Sequence, residues 1–257
     1  MGIVNVTADS FSGDGLAGEP QRAVAQGRRM VEEGAGMLDI GGESSRPGAE
    51  PMSVERELAR VLPVIEGLRA CGVPLSVDTV KPEVMAAAIA AGADMINDIA
   101  ALAAPGAMAA VAAGKAGVCL MHMQGEPRTM QQNPDYDDVV AEVLAFLAGR
   151  VAACEAAGID RRRIVIDPGF GFGKTLAHNL ALLRHLDRFA GLGLPVLAGM
   201  SRKSMLGGIT GRPVNERLPA GLAAAVLAVQ RGAAIVRVHD VAATRDALAV
   251  LNAVEGT

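Results

Sequence analysis

The sequence predicts an α/β fold, a single (β/α)8 TIM barrel that occupies residues 1–257 as one domain. Length is the first reason, since the chain has 257 residues and such barrels run to about 250 residues as one unit. The second reason is a series of eight short, nearly continuous apolar segments, which are typical of parallel strands buried on both faces. The third is that a helical pattern follows each segment, with no linker or low-complexity tract that would separate two domains.

Each predicted strand is an apolar run that ends near a polar or charged residue, and each predicted helix starts after the loop that follows. The predicted strands are 3–6, 37–40, 74–77, 95–96, 118–121, 164–166, 196–198 and 235–238. The predicted helices are 20–33, 53–70, 81–91, 105–113, 136–157, 176–189, 214–231 and 241–253. This alternation, repeated eight times, predicts a parallel sheet that closes into a barrel.

The two kinds of connecting loop differ in length and in chemistry. Helix-to-strand links are short and centred on glycine, as at Gly92 and Gly158, where a left-handed residue can end a helix. Strand-to-helix links are longer and more polar, and they cover 7–20, 41–52, 122–134, 167–175 and 199–213. Because the carboxyl ends of barrel strands carry the active site, we expect the functional residues on these longer loops.

Composition excludes several classes of protein. With 24 Lys and Arg against 28 Asp and Glu, the net charge of −4 gives no broad basic surface for nucleic acid. No apolar stretch reaches the roughly 18 residues that span a bilayer, and no basic, apolar leader typical of secretion opens the chain. The three cysteines are far apart and odd in number, which indicates a reducing compartment. We therefore expect a cytoplasmic protein that binds neither nucleic acid nor membrane.

Polar side chains stand at or just after the end of every predicted strand, where they would meet at the mouth of the barrel. In strand order they are Asn5, Asp39, Asp78, Asn97 with Asp98, His122, Asp167, Arg202 with Lys203, and Arg237 with His239. Carboxylates and amides dominate strands 1 to 4 and 6, whereas cations gather at strands 7 and 8. This sorting predicts a ligand with one end rich in N–H donors and an anionic other end, because clustered carboxylates repel each other unless donors satisfy them.

The two carboxylates of strands 2 and 3 also have structural interpretations. Asp39 could accept hydrogen bonds from loop amides, and this alternative stays as open as a functional role. Asp78 could cap the next helix. The pair Lys81-Pro82 starts that helix later, however, and this favours ligand binding by Asp78.

Strand geometry and spacing separate the remaining candidates. Adjacent strand residues face opposite sides, so we expect Asp98 to hold loop backbone while Asn97 faces the ligand. His122 belongs to no metal-ligand spacing and is interpreted as a core histidine. His239 lies two residues after Arg237, so both can converge on one anion.

The placement of phenylalanine predicts a flat ligand. The chain has five Phe, one Tyr and no Trp, and Phe11, Phe170 and Phe172 fall in loops over the predicted mouth. In the run DPGFGFGK at 167–174, glycine would let the backbone approach a ligand while the rings cover its face or edge. The run lacks the spacing of a phosphate-binding P-loop, so we interpret it as a ring-contact loop.

Eight motifs in order along nearly the whole chain resemble the dihydropteroate synthases. They are 1–7 with 9–12, 39–48, 76–79, 96–99, 121–125, the glycine-phenylalanine run from 167, 201–204 and 237–240. The resemblance implies a (β/α)8 barrel, usually a homodimer, that joins 4-aminobenzoate to the methyl carbon of a dihydropterin diphosphate. Pyrophosphate is released in this step of folate synthesis.

The resemblance also assigns roles to particular residues. The pterin pocket that it implies consists of Asp78, Asn97, Met121, Asp167, Lys203 and Arg237. The diphosphate site consists of Asn5, Ser45, Arg237 and His239, with Mg²⁺ as the cofactor near Asn5. The 4-aminobenzoate site consists of Phe11, Arg46, Pro47, Phe172, Lys203 and Ser204. The residues expected to act in catalysis are Asp167, Lys203, Arg237 and His239.

Some loop residues depart from the usual pattern of these synthases. Ala8 replaces a proline, Ser45 replaces a threonine, and residues 12–15 read SGDG instead of the commoner SDGG. Ser45 keeps its hydroxyl, so its role should survive. Loss of the proline gives the first loop more freedom, and we expect the affinity for aminobenzoate to be affected rather than the reaction.

Three other functions are alternatives at this level. A pterin-dependent methyltransferase could share the carboxylates, but it would leave Arg237 and His239 with no diphosphate to bind. A Schiff-base aldolase would need a buried amine at Lys203, which lies beside Arg202 on a loop. A non-catalytic pterin-binding module would release no pyrophosphate.

Overall fold

The computed structural model describes residues 1–6, 20–44 and 51–256, which form one α/β domain with a single eight-stranded sheet. Its strands are β1 (Gly2–Asn5), β2 (Leu38–Gly41), β3 (Leu75–Asp78), β4 (Met95–Asp98), β5 (Gly117–Met121), β6 (Ile164–Asp167), β7 (Val196–Ala198) and β8 (Ala233–Val236). Neighbouring strands are parallel, and their order in the sheet is their order along the chain. All eight predicted strands are confirmed, with small shifts in their bounds.

The first strand, β1, also contacts the residues that follow the last strand, β8. Gly2 forms a parallel bridge with Val238. The amide of Ile3 donates to the carbonyl of Val238 at 3.0 Å, and the amide of Val238 donates to the carbonyl of Met1 at 2.9 Å. β8 itself ends at Val236, two residues before the predicted end. Beyond it, the amide of Arg237 still donates to Ala198 of β7, and Val238 pairs with the first strand. The sheet therefore curls until its two ends approach each other.

Ten α-helices lie within the described ranges, and at least one follows each strand. They are α1 (Pro20–Glu32), α2 (Val54–Leu68), α3 (Pro82–Ala91), α4 (Ala107–Ala112), α5 (Val139–Ala156), α6 (Leu176–Arg184), α7 (Asp187–Ala190), α8 (Ser204–Thr210), α9 (Leu218–Gln230) and α10 (Val241–Glu255). Two 3₁₀ turns, Arg161–Arg163 and Val214–Glu216, precede β6 and α9.

Helix boundaries follow local sequence signals. α5 begins at Val139 because the carboxylate of Asp138 accepts hydrogen bonds from the amides of Val140 and Ala141, at 3.0 and 3.1 Å. α3 ends at Gly92, whose φ of 107° is left-handed and is easily adopted only by glycine. The glycine predicted to start this helix-to-strand link is therefore confirmed.

Two helical features differ from the prediction. The helix predicted over 176–189 is two helices, α6 and α7, because His185 between them has a non-helical φ of −113° and ψ of 29°. α8 lies in the loop after β7, where the sequence predicts no helix. The helical pattern of this segment is weak in the sequence, because it contains Gly207 and Gly208, which are poor helix formers.

The core has two parts because successive strand residues face opposite sides of the sheet. The larger cluster includes buried residues such as Ile40 and Ile96 together with apolar residues of the helices. A smaller apolar cluster contains Met95, Cys119 and Leu197, which lie on the other side of the sheet, inside the curl. On β4 the next inward residue after Met95 is the buried Asn97, so the inside becomes polar toward the carboxyl ends of the strands.

Two exclusions drawn from composition can be compared with the structure. No helix in the described parts of the chain is long and apolar enough to cross a membrane. Cys71, Cys119 and Cys154 are free thiols, so none of them takes part in a disulfide framework.

Candidate active site

A cavity of about 280 Å³ lies at the carboxyl ends of the strands. It is lined by every described residue to which the resemblance gave a role: Asn5, Asp78, Asn97, Met121, Asp167, Phe172, Lys203, Ser204, Arg237 and His239. The other four predicted residues, Phe11, Ser45, Arg46 and Pro47, lie outside the described residues. Residues from both ends of the chain thus meet in one cavity, at the end of the sheet where the sequence predicts the site.

Arg237 is the centre of a charged network in one wall of this cavity. Its Nε donates to Asp39 Oδ2 at 2.6 Å, and its terminal NH2 donates to Asp78 Oδ2 at 3.1 Å. Asn97 Nδ2 donates to the same Asp39 oxygen at 3.1 Å. Asp39 is completely buried, and among the described residues it accepts from these two side chains rather than from the loop amides that one interpretation named. Instead it fixes the side chains of Arg237 and Asn97.

These contacts correct the predicted separation of the site into an acidic and a basic end. Arg237 belongs to the basic group in sequence, yet it is paired with carboxylates of β2 and β3. The reason is that the curled sheet brings the carboxyl end of β8 close to the first strands, and arginine is long enough to reach across. Positive and negative groups are therefore interleaved at this wall.

Burial changes the ionisation of the cavity residues. Desolvation raises the pKa of Asp78 to about 7, although the charge of Arg237 opposes the shift. Desolvation also raises the pKa of Asp167, opposed by the charge of Lys203. The pKa of Lys203 is lowered by burial to about 8, while Asp167 acts in the other direction. Lys203 therefore remains largely protonated at neutral pH.

Asp167 and Lys203 lie beside the glycine-phenylalanine loop. Asp167 Oδ1 accepts a hydrogen bond from the amide of Gly169 at 2.7 Å. Lys203 Nζ donates to the carbonyl of Phe170 at 2.5 Å and lies 4.7 Å from the centroid of the Phe172 ring. The wall formed here combines an aromatic face with a buried cation.

The two phenylalanines of this loop have different environments. Phe172 lines the cavity as predicted, whereas Phe170 is completely buried in the main core and is not a ligand contact. The prediction for Phe170 is therefore wrong. Gly169 and Gly171, on either side of Phe170, have positive φ angles of 72° and 80°. These two turns direct neighbouring rings to different sides, although the sequence presents both as glycine-flanked phenylalanines.

The other interpretations of strand-end residues are settled by their hydrogen bonds. Asp98 accepts from the amides of Ala100 and Leu102, both at 2.7 Å, which confirms that it holds loop backbone while Asn97 lines the cavity. Asp78 does not cap α3, because the N-cap residue of that helix is Lys81. The role of Asp98 in holding loop backbone is confirmed, whereas ligand binding by Asp78 stays a prediction.

The cation and histidine that follow β7 and β8 have defined partners. Arg202 pairs with Asp240 through two hydrogen bonds of 3.1 and 2.6 Å. His239 Nδ1 lies 3.0 Å from Ser201 Oγ, which also accepts from the His239 amide at 3.2 Å. Ser201 thus orients the imidazole at the cavity wall.

His122 is the core histidine that the sequence predicts. It is buried, and its ring contacts Phe146 edge-on with centroids 4.9 Å apart. Among the described residues no group of three His, Cys, Asp or Glu side chains could hold a metal ion.

Sequence reasoning missed several residues that line the cavity, including Glu43, Ser44, Gln131 and Ser201. Glu43 falls inside a motif that carries the resemblance, and its carboxylate contacts Lys81, which links it to the buried Glu57. Gln131 donates to the carbonyl of Gly171 but belongs to a polar loop without any pattern. Glu43 could have been found from its motif, whereas Gln131 could not.

Comparison with known proteins identifies the family of the chain. A family model described as pterin binding enzyme matches residues 1–239. The chain belongs to the pterin binding enzyme family. Among its relatives, the dihydropteroate synthase of Escherichia coli (strain K12) is 50% identical over 254 residues, which cover 98% of this chain and 90% of that protein. The dihydropteroate synthase of Neisseria meningitidis serogroup C is 53% identical over 253 residues, covering 96% and 89%.

Solved structures of pterin binding enzymes have the same fold. The Yersinia pestis dihydropteroate synthase in complex with a sulfonamide drug superimposes with a TM-score of 0.96 at 47% identity, covering 100% of this chain and 93% of that one. The Xanthomonas albilineans dihydropteroate synthase with 4-aminobenzoic acid gives a TM-score of 0.93 at 58% identity, with the same coverage. The X. albilineans enzyme in complex with 7,8-dihydropteroate gives 0.89 at 54% identity, covering 100% and 92%.

Proposed function

We propose that this pterin binding enzyme is a dihydropteroate synthase. It condenses 4-aminobenzoate with (7,8-dihydropterin-6-yl)methyl diphosphate and gives 7,8-dihydropteroate and pyrophosphate, a step of folate synthesis. One observation carries the proposal: residues assigned to three different subsites line one continuous cavity. Relatives with this name are about half identical over nearly the whole chain, and two solved relatives hold 4-aminobenzoic acid or 7,8-dihydropteroate.

The pterin ring is assigned to the part of the cavity lined by Asp78, Asn97 and Asp167, with Met121 beside it. The edge of a pterin carries several N–H donors, and carboxylate and amide oxygens are acceptors for them. Asp39 supports this pocket from behind, because it fixes Asn97 and the guanidinium of Arg237. These residues would recognise the heterocycle by hydrogen bonding.

The diphosphate is assigned to Asn5, Arg237 and His239, together with Ser45 of the following loop. A guanidinium has five N–H donors, and Arg237 uses only two of its nitrogens for Asp39 and Asp78. The remaining donors can bind phosphate oxygens without breaking the ion pairs that hold the side chain. His239, held by Ser201, supplies a further donor at this wall.

Magnesium is proposed as the cofactor, and the donor set fits a weakly held ion. Asn5 contributes an amide to the cavity, close to Gly41, where an added Cβ would lie 3.8 Å from Asn5 Oδ1. Mg²⁺ prefers oxygen ligands and is commonly bound by one or two protein groups together with substrate phosphates and water. Asn5 would be the protein ligand, and the bound ion would neutralise diphosphate charge.

The chemistry follows from where charge develops. The bond between the pterin methylene carbon and the diphosphate oxygen breaks, and its electron pair leaves with the diphosphate. The nitrogen of 4-aminobenzoate then bonds to that carbon and loses a proton. Asp167 would favour the positive charge on the pterin ring, while Arg237 and His239 would favour the charge on the leaving diphosphate. Lys203 contributes a cation between the pterin pocket and the Phe172 ring, where aminobenzoate is assigned.

We extend the proposal to the architecture: the curled sheet is a closed (β/α)8 barrel. The bridge from Gly2 to Val238 and the two backbone hydrogen bonds beside it support closure.

A homodimer is also proposed, because α9 and α10 pack together and carry partly exposed apolar side chains such as Leu227, Val250 and Val254. Light scattering should then give twice the 26.3 kDa mass of one chain. The cytoplasm remains the expected compartment, since folate synthesis uses soluble small molecules.

The activity is tested by measuring pyrophosphate release and 7,8-dihydropteroate formation with both substrates and Mg²⁺. Arg237→Ala and Asp167→Ala should each lower kcat about a hundred- to thousandfold, as expected on losing one preorganised charge. Arg184→Ala and Asp246→Ala change exposed residues on α6 and α10 and serve as matched controls. Pyrophosphate release that stays undiminished in either cavity variant would remove that residue from the mechanism.

The rival functions give different products in the same experiment. A pterin-dependent methyltransferase would require a corrinoid and release no pyrophosphate. A Schiff-base aldolase would be trapped at Lys203 by borohydride in the presence of a carbonyl substrate. A binding module would retain the pterin without any turnover.

A further inference from the structure

Lys174 is a buried lysine to which neither the sequence nor the proposed reaction gives a role. Its side chain is only 3% exposed. It follows Phe172 by two residues and precedes Thr175, the N-cap of α6, yet its amine turns back toward the glycine-phenylalanine loop. Burial lowers the pKa of Lys174 to about 7, while the charge of Asp167 opposes the shift. Such a side chain is costly to bury unless its donors are satisfied.

The amine of Lys174 has a partner for each of its three N–H groups. Nζ lies 3.0 Å from His122 Nδ1, donates to the His122 carbonyl at 3.3 Å and donates to the Phe172 carbonyl at 2.9 Å. Burial lowers the pKa of His122 to about 3, so its ring is neutral and Nδ1 can accept. Lys174 therefore joins the end of β5 to the backbone of the residue whose ring lines the cavity.

The two loops joined by Lys174 are also in direct contact. A Cβ on Gly169 would overlap the carbonyl oxygen of His122, and a Cβ on Gly173 would overlap the carbonyl oxygen of Gln124. Gly171, between them, donates its amide to Asn179 Oδ1 at 2.7 Å. The backbone on both sides of Phe172 is thus held closely, and Lys174 binds the carbonyl of Phe172 itself.

We propose that Lys174, supported by His122, is a positioning residue. It fixes the position of the Phe172 ring in the 4-aminobenzoate subsite. The inference rests on the proposed function, because that function assigns aminobenzoate to the surface of Phe172, Lys203 and Ser204. Lys174 is not among the residues that line the cavity. Its hydrogen bond to the carbonyl of Phe172 is what separates positioning from general stabilisation.

The first test is steady-state kinetics of Lys174→Met, which keeps the length of the side chain and removes its donors. The KM for 4-aminobenzoate should rise about fivefold, the loss expected from one displaced ring contact, while kcat and the KM for the dihydropterin diphosphate change less than about twofold. The chain has four lysines, and the exposed Lys115 between α4 and β5 gives the matched control Lys115→Met. An unchanged KM for aminobenzoate, or an equal change in all three parameters, would overturn the proposal.

A second experiment asks whether Lys174 acts through Phe172. In a Phe172→Ala background, Lys174→Met should leave the KM for aminobenzoate within about twofold, because the ring that it positions is already gone. Fully additive effects of the two substitutions would contradict the proposal.

A third variant, Lys174→Ala, gives a test that does not depend on the folding of Lys174→Met. Added propylamine should lower the raised KM of Lys174→Ala for aminobenzoate and leave the KM of Lys115→Ala unchanged. No rescue by the amine would count against Lys174.

Failure of this inference can be told apart from failure of the proposed function. The wild-type chain is assayed first, and absence of pyrophosphate release from both substrates would refute the function itself. If wild-type turnover is present and only the Lys174 predictions fail, the synthase assignment stands and the positioning role is removed.

Discussion

Asp78 is a cavity residue whose ionisation depends strongly on its surroundings. Desolvation raises its pKa to about 7, and the adjacent Arg237 limits the shift. N–H donors of a pterin would bind the ionised carboxylate better than the acid. Ligand binding and deprotonation of Asp78 are therefore coupled.

This coupling predicts a pH-dependent affinity for the dihydropterin diphosphate. A carboxyl group with a raised pKa is protonated below that value, so affinity should increase from about pH 6 to about pH 8 as Asp78 ionises. Calorimetric titration without 4-aminobenzoate measures it. Asp78→Asn should bind more weakly and show a flat profile over the same range. A profile that is equally steep in Asp78→Asn would assign the titration to another group.

Phe170 and Phe172 provide a matched pair that separates stability from binding. Phe170→Ala removes a completely buried ring and should lower the free energy of unfolding by about 3–5 kcal/mol. Phe172→Ala should raise the KM for 4-aminobenzoate about fivefold and have a much smaller effect on unfolding. Urea unfolding and steady-state kinetics of both variants test this. The opposite pattern would mean that Phe170 is the ring at the ligand.

At the scale of elements, Lys81 connects β2, β3 and α2. It lies after β3, contacts Glu43 after β2, and donates to Glu57 Oε2 of α2 at 2.6 Å. The second oxygen of Glu43 accepts from the amide of Met52 at 2.9 Å. Glu43 therefore ties the start of the 41–52 connection to its end, and Lys81 ties that carboxylate to the buried helix residue Glu57.

Breaking the Lys81 contacts should destabilise the chain strongly. Lys81→Met leaves Glu57, which is fully buried, without its cation and should cost about 3–5 kcal/mol of unfolding free energy. The double variant Glu57→Leu/Lys81→Met should recover much of this loss, since no buried charge is left unpaired. Glu155→Ala, which breaks the exposed pair with Arg161, is the control and should cost less than about 1 kcal/mol. Equal losses in Lys81→Met and in the double variant would show that the ion pair is not the cause.

For the whole molecule, curling of the sheet determines which residues meet. Asp39 and Asp78 can pair with Arg237 only because the carboxyl end of β8 comes near β2 and β3. The hydrogen bonds between the Met1–Ile3 segment and Val238 hold this arrangement. The polar network of the cavity and the pairing of the two sheet ends therefore support each other.

Hydrogen exchange tests closure directly. In a closed barrel the amides of Ile3 and Val238, which donate across the junction at 3.0 and 2.9 Å, should exchange within about tenfold of the amides of β5. Two-dimensional NMR after transfer to D2O provides the rates. Complete exchange of both amides while the β5 amides remain protected would show that the sheet is open at this edge.

The sequence predicts the strands well because most of them are buried on both faces, so each is a compact apolar run such as 196–198. It also predicts most of the cavity, because the residue after a buried strand must lie at the carboxyl edge of the sheet, as Asp78 and Asp167 do. It could not show that Phe170 turns inward, since this depends on glycine φ angles. Nor could it show the partners of Arg237, which a long side chain finds only after the sheet curls.

The scarcity of lysine has a practical consequence. Lys81, Lys174 and Lys203 are buried or partly buried, whereas Lys115 is exposed in a helix-to-strand link, at the opposite end of the sheet from the cavity. Among the lysines, an amine-reactive dye or biotin ester should therefore attach mainly at Lys115. If the protein were coupled to a sensor chip through Lys115, the cavity at the carboxyl ends of the strands would face the solution.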